Sequence, residues 1–91
     1  MLERTRTKDT TTVTFILPAD HPHEQISVVG DFNDWQPGAH PLADRKDGTR
    51  AVSIAMPAER CFGFRYLAEG DRWFDDERAD SHDGTNGYLH T

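Results

Sequence analysis

Cys61-Phe62-Gly63-Phe64-Arg65-Tyr66-Leu67 is the stretch that decides the fold. Read with a period of two, it puts Phe62, Phe64 and Tyr66 on one face and Gly63, Arg65 and Leu67 on the other, as a strand with one face in a core requires. The same alternation recurs upstream. Val13, Phe15 and Leu17 oppose Thr12, Thr14 and Ile16, and Pro18 closes the run. Val52, Ile54 and Met56 share a face within Arg50 to Met56, which Pro57 closes. Gln25 to Gly30 is a strand rich in β-branched residues, with Ile26, Val28 and Val29 as its apolar members. Asp47-Gly48 is a hairpin dipeptide after a short strand at Leu42 to Arg45. Glu69-Gly70-Asp71 turns the chain into another short strand at Arg72 to Phe74. Asp75 to Thr85 is polar and acidic and reads as a loop, and Asn86 to Thr91 forms a last strand. Short strands about every eight to twelve residues, with turn signals between them and no helical pattern, give an all-β domain: a sandwich or a small barrel. The expected core is Val13, Phe15, Val28, Ile54, Phe64 and Tyr66.

Ninety-one residues suffice for one domain,. Residues 1–9 are charged and Thr-rich and read as a flexible tail ahead of a domain spanning 10–91. A hydrophobic content of 35% with 29% charged residues suits a soluble globular chain rather than a disordered one,. No apolar run approaches the length of a membrane span, and no apolar segment follows the charged N-terminus as a secretory leader would need. A net charge of −6 argues against a nucleic-acid partner,. Cys61 is the sole cysteine, which excludes an intrachain disulfide and reads as a small buried hydrophobe in a reducing, cytoplasmic setting. Neither a membrane partner nor a cofactor is expected, and the chain is expected to be a monomer.

The corner Asp31-Phe32-Asn33-Asp34-Trp35-Gln36-Pro37-Gly38 places two aromatic rings within turn chemistry,. Together with Val28-Val29-Gly30 before it, Asp47-Gly48, Phe64-Arg65-Tyr66-Leu67, Gly70-Asp71-Arg72-Trp73-Phe74-Asp75 and Asn86, this corner resembles a known family. The chain is similar to the early-set domain at the N-terminus of isoamylase and glycogen-branching enzymes, which is also the glycogen-binding module of the AMP-activated protein kinase β subunit. The resemblance runs from Thr11 to Leu89. It implies an immunoglobulin-like antiparallel β-sandwich of about seven strands. It also implies non-catalytic binding of α-1,4-linked glucan (glycogen, starch or maltooligosaccharide), beside a separate glucan-active enzyme as a partner. By matched position it gives the carbohydrate-binding roles to Trp35, Arg65, Trp73 and Asn86. Arg65 stands where the family has lysine, which keeps the charge but changes its geometry. Flat aromatics cover the C–H face of a pyranose, while Arg and Asn supply donors to its hydroxyl rim.

Each of these residues also has a purely structural reading. Trp35 would then cap one end of the sandwich as Phe32 does, and Arg65 would pair with Asp75, Asp76 or Glu77. Trp73-Phe74 must send one ring inward and one outward, and alternation alone does not say which. Asn86-Gly87 is a turn dipeptide in its own right. Asp31 with Asp34, or Asp75 with Asp76, could be paired on paper as a glycosidase acid and nucleophile, but such a pair needs a cleft that so small a domain has little room to build. The expectation is therefore no catalysis and no catalytic residue. His21 and His23 lack a third ligand, so no metal site is expected. The competing function is a structural or protein-interaction domain of the same fold without sugar affinity.

Overall fold

In the computed structural model the described residues are 2–18, 25–69, 72–76, 79–83 and 86–91. Residues 19–24, with His21 and His23, the expected turn at Gly70-Asp71, Glu77 and Thr85 lie outside them. The strands are β1 (Leu2–Arg6), β2 (Thr10–Pro18), β3 (Ile26–Gly30), β4 (Ala43–Asp44), β5 (Thr49–Pro57), β6 (Cys61–Ala68), β7 (Arg72–Phe74), β8 (Ser81–His82) and β9 (Gly87–His90), with one 3-10 turn at Asp31–Asn33. One sheet has the order β1-β2-β5-β4. The other has β3-β6-β9-β8, with β7 also paired to β6. Every pairing is antiparallel. The protein is an all-β, immunoglobulin-like sandwich.

Apolar alternation sets which faces meet. Val13, Phe15, Val28, Phe64, Tyr66 and Leu89 have no exposed surface, and Ile54, Met56 and Ile26 are buried with them. All six residues expected in the core are in it, whereas Cys61, expected to be buried, is exposed at the start of β6. Phe15 of the first sheet packs edge-on against Phe64 and Tyr66 of the second, with ring centroids 5.4 and 6.5 Å apart. Phe74 stacks on Tyr66 at 5.2 Å. That contact resolves the Trp73-Phe74 ambiguity: Tyr66 pairs with Phe74 across β6 and β7, so Phe74 shares its inward face and Trp73 turns out.

The N-terminal residues correct one expectation. Leu2–Arg6 is a strand rather than a tail, paired from Leu2 opposite Phe15 to Arg6 opposite Thr11. Arg4 fastens it to the far edge of the second sheet, donating to the His90 carbonyl at 3.1 Å and pairing with Asp80. An edge strand with one solvated face tolerates charged residues, which is why the segment looks unstructured from composition. Asp75 to Thr85, expected as a loop throughout, contains the short strand β8, whose Ser81 pairs with Tyr88.

Between the sheets, the Tyr66 hydroxyl donates to Asp76 at 2.7 Å, and Asp76 is itself buried. Burial, reinforced by the adjacent carboxylate, pushes the Tyr66 phenol far above its usual pKa. Tyr66→Phe should cost about 1–3 kcal/mol, the scale of a buried acceptor deprived of a donor. The wild-type chain should also lose stability at alkaline pH. Because the folded pKa is raised, unfolded chains release the Tyr66 proton above about pH 10 while folded ones retain it. Stability then falls with rising pH by about 1.4 kcal/mol per unit from this group. Urea unfolding of both proteins at neutral pH and above pH 10 tests this: Tyr66→Phe should be less stable at pH 7 and have the shallower alkaline decline.

Candidate functional site

Parity in β6 builds the site. Phe64, Tyr66 and Ala68 point into the core, so Gly63, Arg65 and Leu67 form the floor of the opposite, outward face. Three neighbours converge on that floor. β9 pairs with the first half of β6, putting Tyr88 opposite Gly63. β7 pairs with the second half, putting Trp73 opposite Leu67. β3 flanks the other side and leads into the Asp31–Trp35 corner.

The sequence explains why the corner folds as it does. Gly30 ends β3 where the chain crosses closely over β6: a Cβ there would sit 2.7 Å from Cε2 of Phe32 and collide with the Gly63 carbonyl. Phe32 then turns inward onto Phe15 at 5.6 Å and Phe62 at 6.2 Å. Asn33 acts as a staple: its Oδ1 accepts the Gly30 N–H at 3.0 Å, and its Nδ2 donates to the Val28 carbonyl at 3.1 Å. Asp34 and Trp35 both occupy the left-handed region, with φ of 55° and 56°. For a side chain as bulky as Trp this is a strained conformation worth about 1–3 kcal/mol. It is held by the Trp35 N–H bond to the Gly30 carbonyl at 3.0 Å and by the indole.

Trp35 is half-buried, and its indole Nε1 donates to Asp31 Oδ1 at 2.8 Å. The other Asp31 oxygen accepts the Gly63 backbone N–H at 2.7 Å. A single carboxylate therefore ties the corner to the centre of β6. Arg65 Nε donates to Asp75 Oδ1 at 3.0 Å, and Asp75 Oδ2 lies 3.2 Å from His82 Nε2. The Arg65 guanidinium carbon also lies 5.8 Å from the centre of the Trp73 ring, within cation–π range. Among the described large hydrophobic residues Trp73 is the exposed one, with 40% of its surface open.

Asn86 immediately precedes β9, and continuing the β6–β9 register carries it to the level of Arg65. Its backbone N–H donates to Asp83 Oδ1 at 2.7 Å. Trp35, Arg65, Trp73 and Asn86 are thus gathered around one sheet face, Trp35 on the β3 side of β6 and Trp73 and Asn86 on the other. The pairing of Arg65 with Asp75, weighed from sequence as the structural alternative, is present too.

Tyr88 is a further residue of this face that the sequence did not single out. Tyr88 lies against Gly63, and its hydroxyl donates to Asp83 Oδ2 at 2.7 Å. That bond, with lesser help from other causes, raises the Tyr88 pKa. Asp31 and Asp83 act as anchors. Period-two alternation within the last strand is the signal that separates Tyr88 from Leu89, but only pairing with β6 brings Tyr88 beside Gly63. Among the described residues no group of three or more His, Cys, Asp or Glu side chains is set to hold a metal ion, and no helix is long and apolar enough to cross a membrane.

The chain matches no protein-family model and no curated protein. Its class therefore rests on fold and face: an immunoglobulin-like sandwich with a cluster of aromatic, basic and amide side chains on the outer side of one sheet. Chemically, such a face offers apolar rings edged by N–H donors and carboxylate acceptors, suited to a ligand with an apolar face and a hydroxyl rim.

Asp31→Asn tests the corner. Asparagine has one acceptor oxygen for the two N–H groups that Asp31 serves, so one bond must be lost. We expect a loss of about 1–2 kcal/mol in thermal unfolding and a reduced near-ultraviolet dichroism signal from Trp35. Wild-type values for both would show that Asp31 does not hold the indole.

Proposed function

We propose that this domain binds α-1,4-linked glucan without catalysis, on a shallow platform formed by Trp35, Arg65, Trp73 and Asn86. The observation that carries the reading is Trp73: a large ring left exposed on a sheet face, with the Arg65 guanidinium beside it and the Asn86 amide just ahead of β9. A sugar ring can stack on the open indole while donors beside it reach the hydroxyls. Arg65 is held through its Nε, and the guanidinium carries further N–H donors on its Nη groups. The Asp75 contact supports the arrangement by fixing the guanidinium beside the ring. The resemblance of the Asp31–Trp35 corner and the strands that follow it to glucan-binding early-set domains favours the same ligand. A separate glucan-active enzyme is the partner such a module would serve.

Non-catalytic binding fits the use of the carboxylates. Asp31 serves Trp35 and Gly63, Asp75 serves Arg65 and pairs with His82, and Asp83 serves Asn86 and Tyr88. Each organises the face. Incubation with glycogen, amylose or pullulan should release no reducing sugar; turnover abolished by Asp31→Asn or Asp75→Asn would overturn this.

The competing reading, a structural or protein-interaction domain of the same fold, draws on the same bonds, because a face that satisfies its own polar groups has less need of a ligand. Maltoheptaose separates the two. A shallow platform should bind it weakly, on the order of millimolar to ten micromolar. Trp73→Ala should remove about 1–2 kcal/mol of that binding while changing unfolding stability by no more than about 0.5 kcal/mol, as for an exposed side chain. Titration calorimetry and thermal melts give both numbers. No heat and no shift in melting temperature with millimolar maltoheptaose would hand the face to the interaction-domain reading.

A further inference from the structure

Tyr88 carries more than its place in a terminal strand requires. It stands opposite Gly63, the one position on the β6 floor without a side chain. A Cβ at Gly63 would lie 3.1 Å from Tyr88 Cε1, 3.6 Å from its Cδ1 and 3.3 Å from Asp31 Oδ2. Glycine there gives the Tyr88 ring its seat and lets the Asp31 carboxylate approach from the other side. The phenol is pinned at its far end by Asp83, so the ring is held at both ends, yet Tyr88 stays only half-buried. A ring fixed by a backbone seat and a carboxylate, with the rest of its surface open, is preorganised for contact.

Its neighbours set a direction. Along the same flank of β6, Tyr88 lies level with Gly63, Asn86 continues the register to the level of Arg65, and Trp73 lies level with Leu67. Gly63 and Leu67 are four residues apart, about 13 Å along a strand. The flank therefore reads ring, amide with guanidinium, ring. Trp35 stands across β6, tied to the Gly63 end through Asp31.

We infer that Tyr88 is a third aromatic station of the glucan face, and that the glucan chain runs along the seam of β6 with β9 and β7, from Tyr88 past Arg65 and Asn86 to Trp73. The inference rests on the glucan reading and deepens it: the face takes an extended run of glucosyl units, and Tyr88 is a determinant of chain length. A short oligosaccharide covers one ring and its polar neighbours. A longer chain reaches both rings and gains affinity.

Calorimetric titration of the full chain with maltotriose and maltoheptaose tests this in wild type, Trp73→Ala, Tyr88→Leu and Tyr88→Phe. Wild type should favour maltoheptaose. Tyr88→Leu, which keeps apolar bulk but no ring, should weaken maltoheptaose about 3–10-fold, the effect of one aromatic contact, and bring its affinity close to that for maltotriose. Tyr88→Phe, which keeps the ring, should stay within about threefold of wild type. Wild-type maltoheptaose affinity in Tyr88→Leu, with binding weakened by Trp73→Ala, overturns the Tyr88 role and leaves the glucan reading standing. Equal losses in Tyr88→Leu and Tyr88→Phe also overturn it, since the ring would not be the contact. No binding by wild type defeats both readings at once. Should Tyr88→Leu fail to fold, the Tyr88 ring proton resonances of the wild-type chain decide: a shift on adding maltoheptaose supports the assignment, and its absence during binding refutes it.

Discussion

The packing of Phe15 against Phe64 and Tyr66 is the contact on which the remaining architecture hangs. It joins the centres of the two sheets, and it fixes which side of β6 faces inward. Because side chains alternate strictly along a strand, a slip of one residue would drive Arg65 into the core and expose the two rings. The penalty for burying an unpaired charge makes that register inaccessible. The outward position of Gly63, Arg65 and Leu67 is therefore a consequence of core packing, and the candidate face is the reverse side of the hydrophobic centre.

The Asp31–Trp35 corner shows how a short motif divides labour among neighbours. Phe32 belongs to the core, Asn33 to the backbone bonds that close the turn, and Asp31 to the tie between Trp35 and β6. Consecutive left-handed residues turn the chain so that the indole meets the carboxylate. The strain of that geometry is met by hydrogen bonds on the backbone and on the side chain. A corner so braced gives Trp35 little freedom to lose on contact with a ligand, whatever that ligand is.

Carboxylates dominate the electrostatics of the face, although the ring beside Arg65 first draws attention to it. Asp31, Asp75 and Asp83 each accept hydrogen bonds from, or pair with, groups on other segments, and each orders an aromatic or basic side chain. An acidic net charge of −6 thus includes residues with defined structural work. Their arrangement braces the aromatic and basic side chains of the face against neighbouring segments.

Strand positions and core membership were legible from the sequence because alternation is local: Val13, Phe15, Ile54, Phe64 and Tyr66 declare their face through their immediate neighbours. The corner was legible as a turn for the same reason. The polar Leu2–Arg6 edge strand was not, since its pairing depends on β2 and on Arg4 reaching Asp80 and His90, far away in the chain. Whether Trp73 or Phe74 faces out was likewise beyond the sequence. Parity gives them opposite faces, but only the β6–β7 register assigns Phe74 to the side of Tyr66. Tyr88 acquired its significance the same way, through a β6–β9 register that seats it against a glycine twenty-five residues earlier. Sequence by itself determined which residues alternate and where the chain turns, because those follow from local geometry. Tertiary structure decided which strands lie side by side and at what offset, because register is set by packing between distant segments, and the composition of the face follows from register.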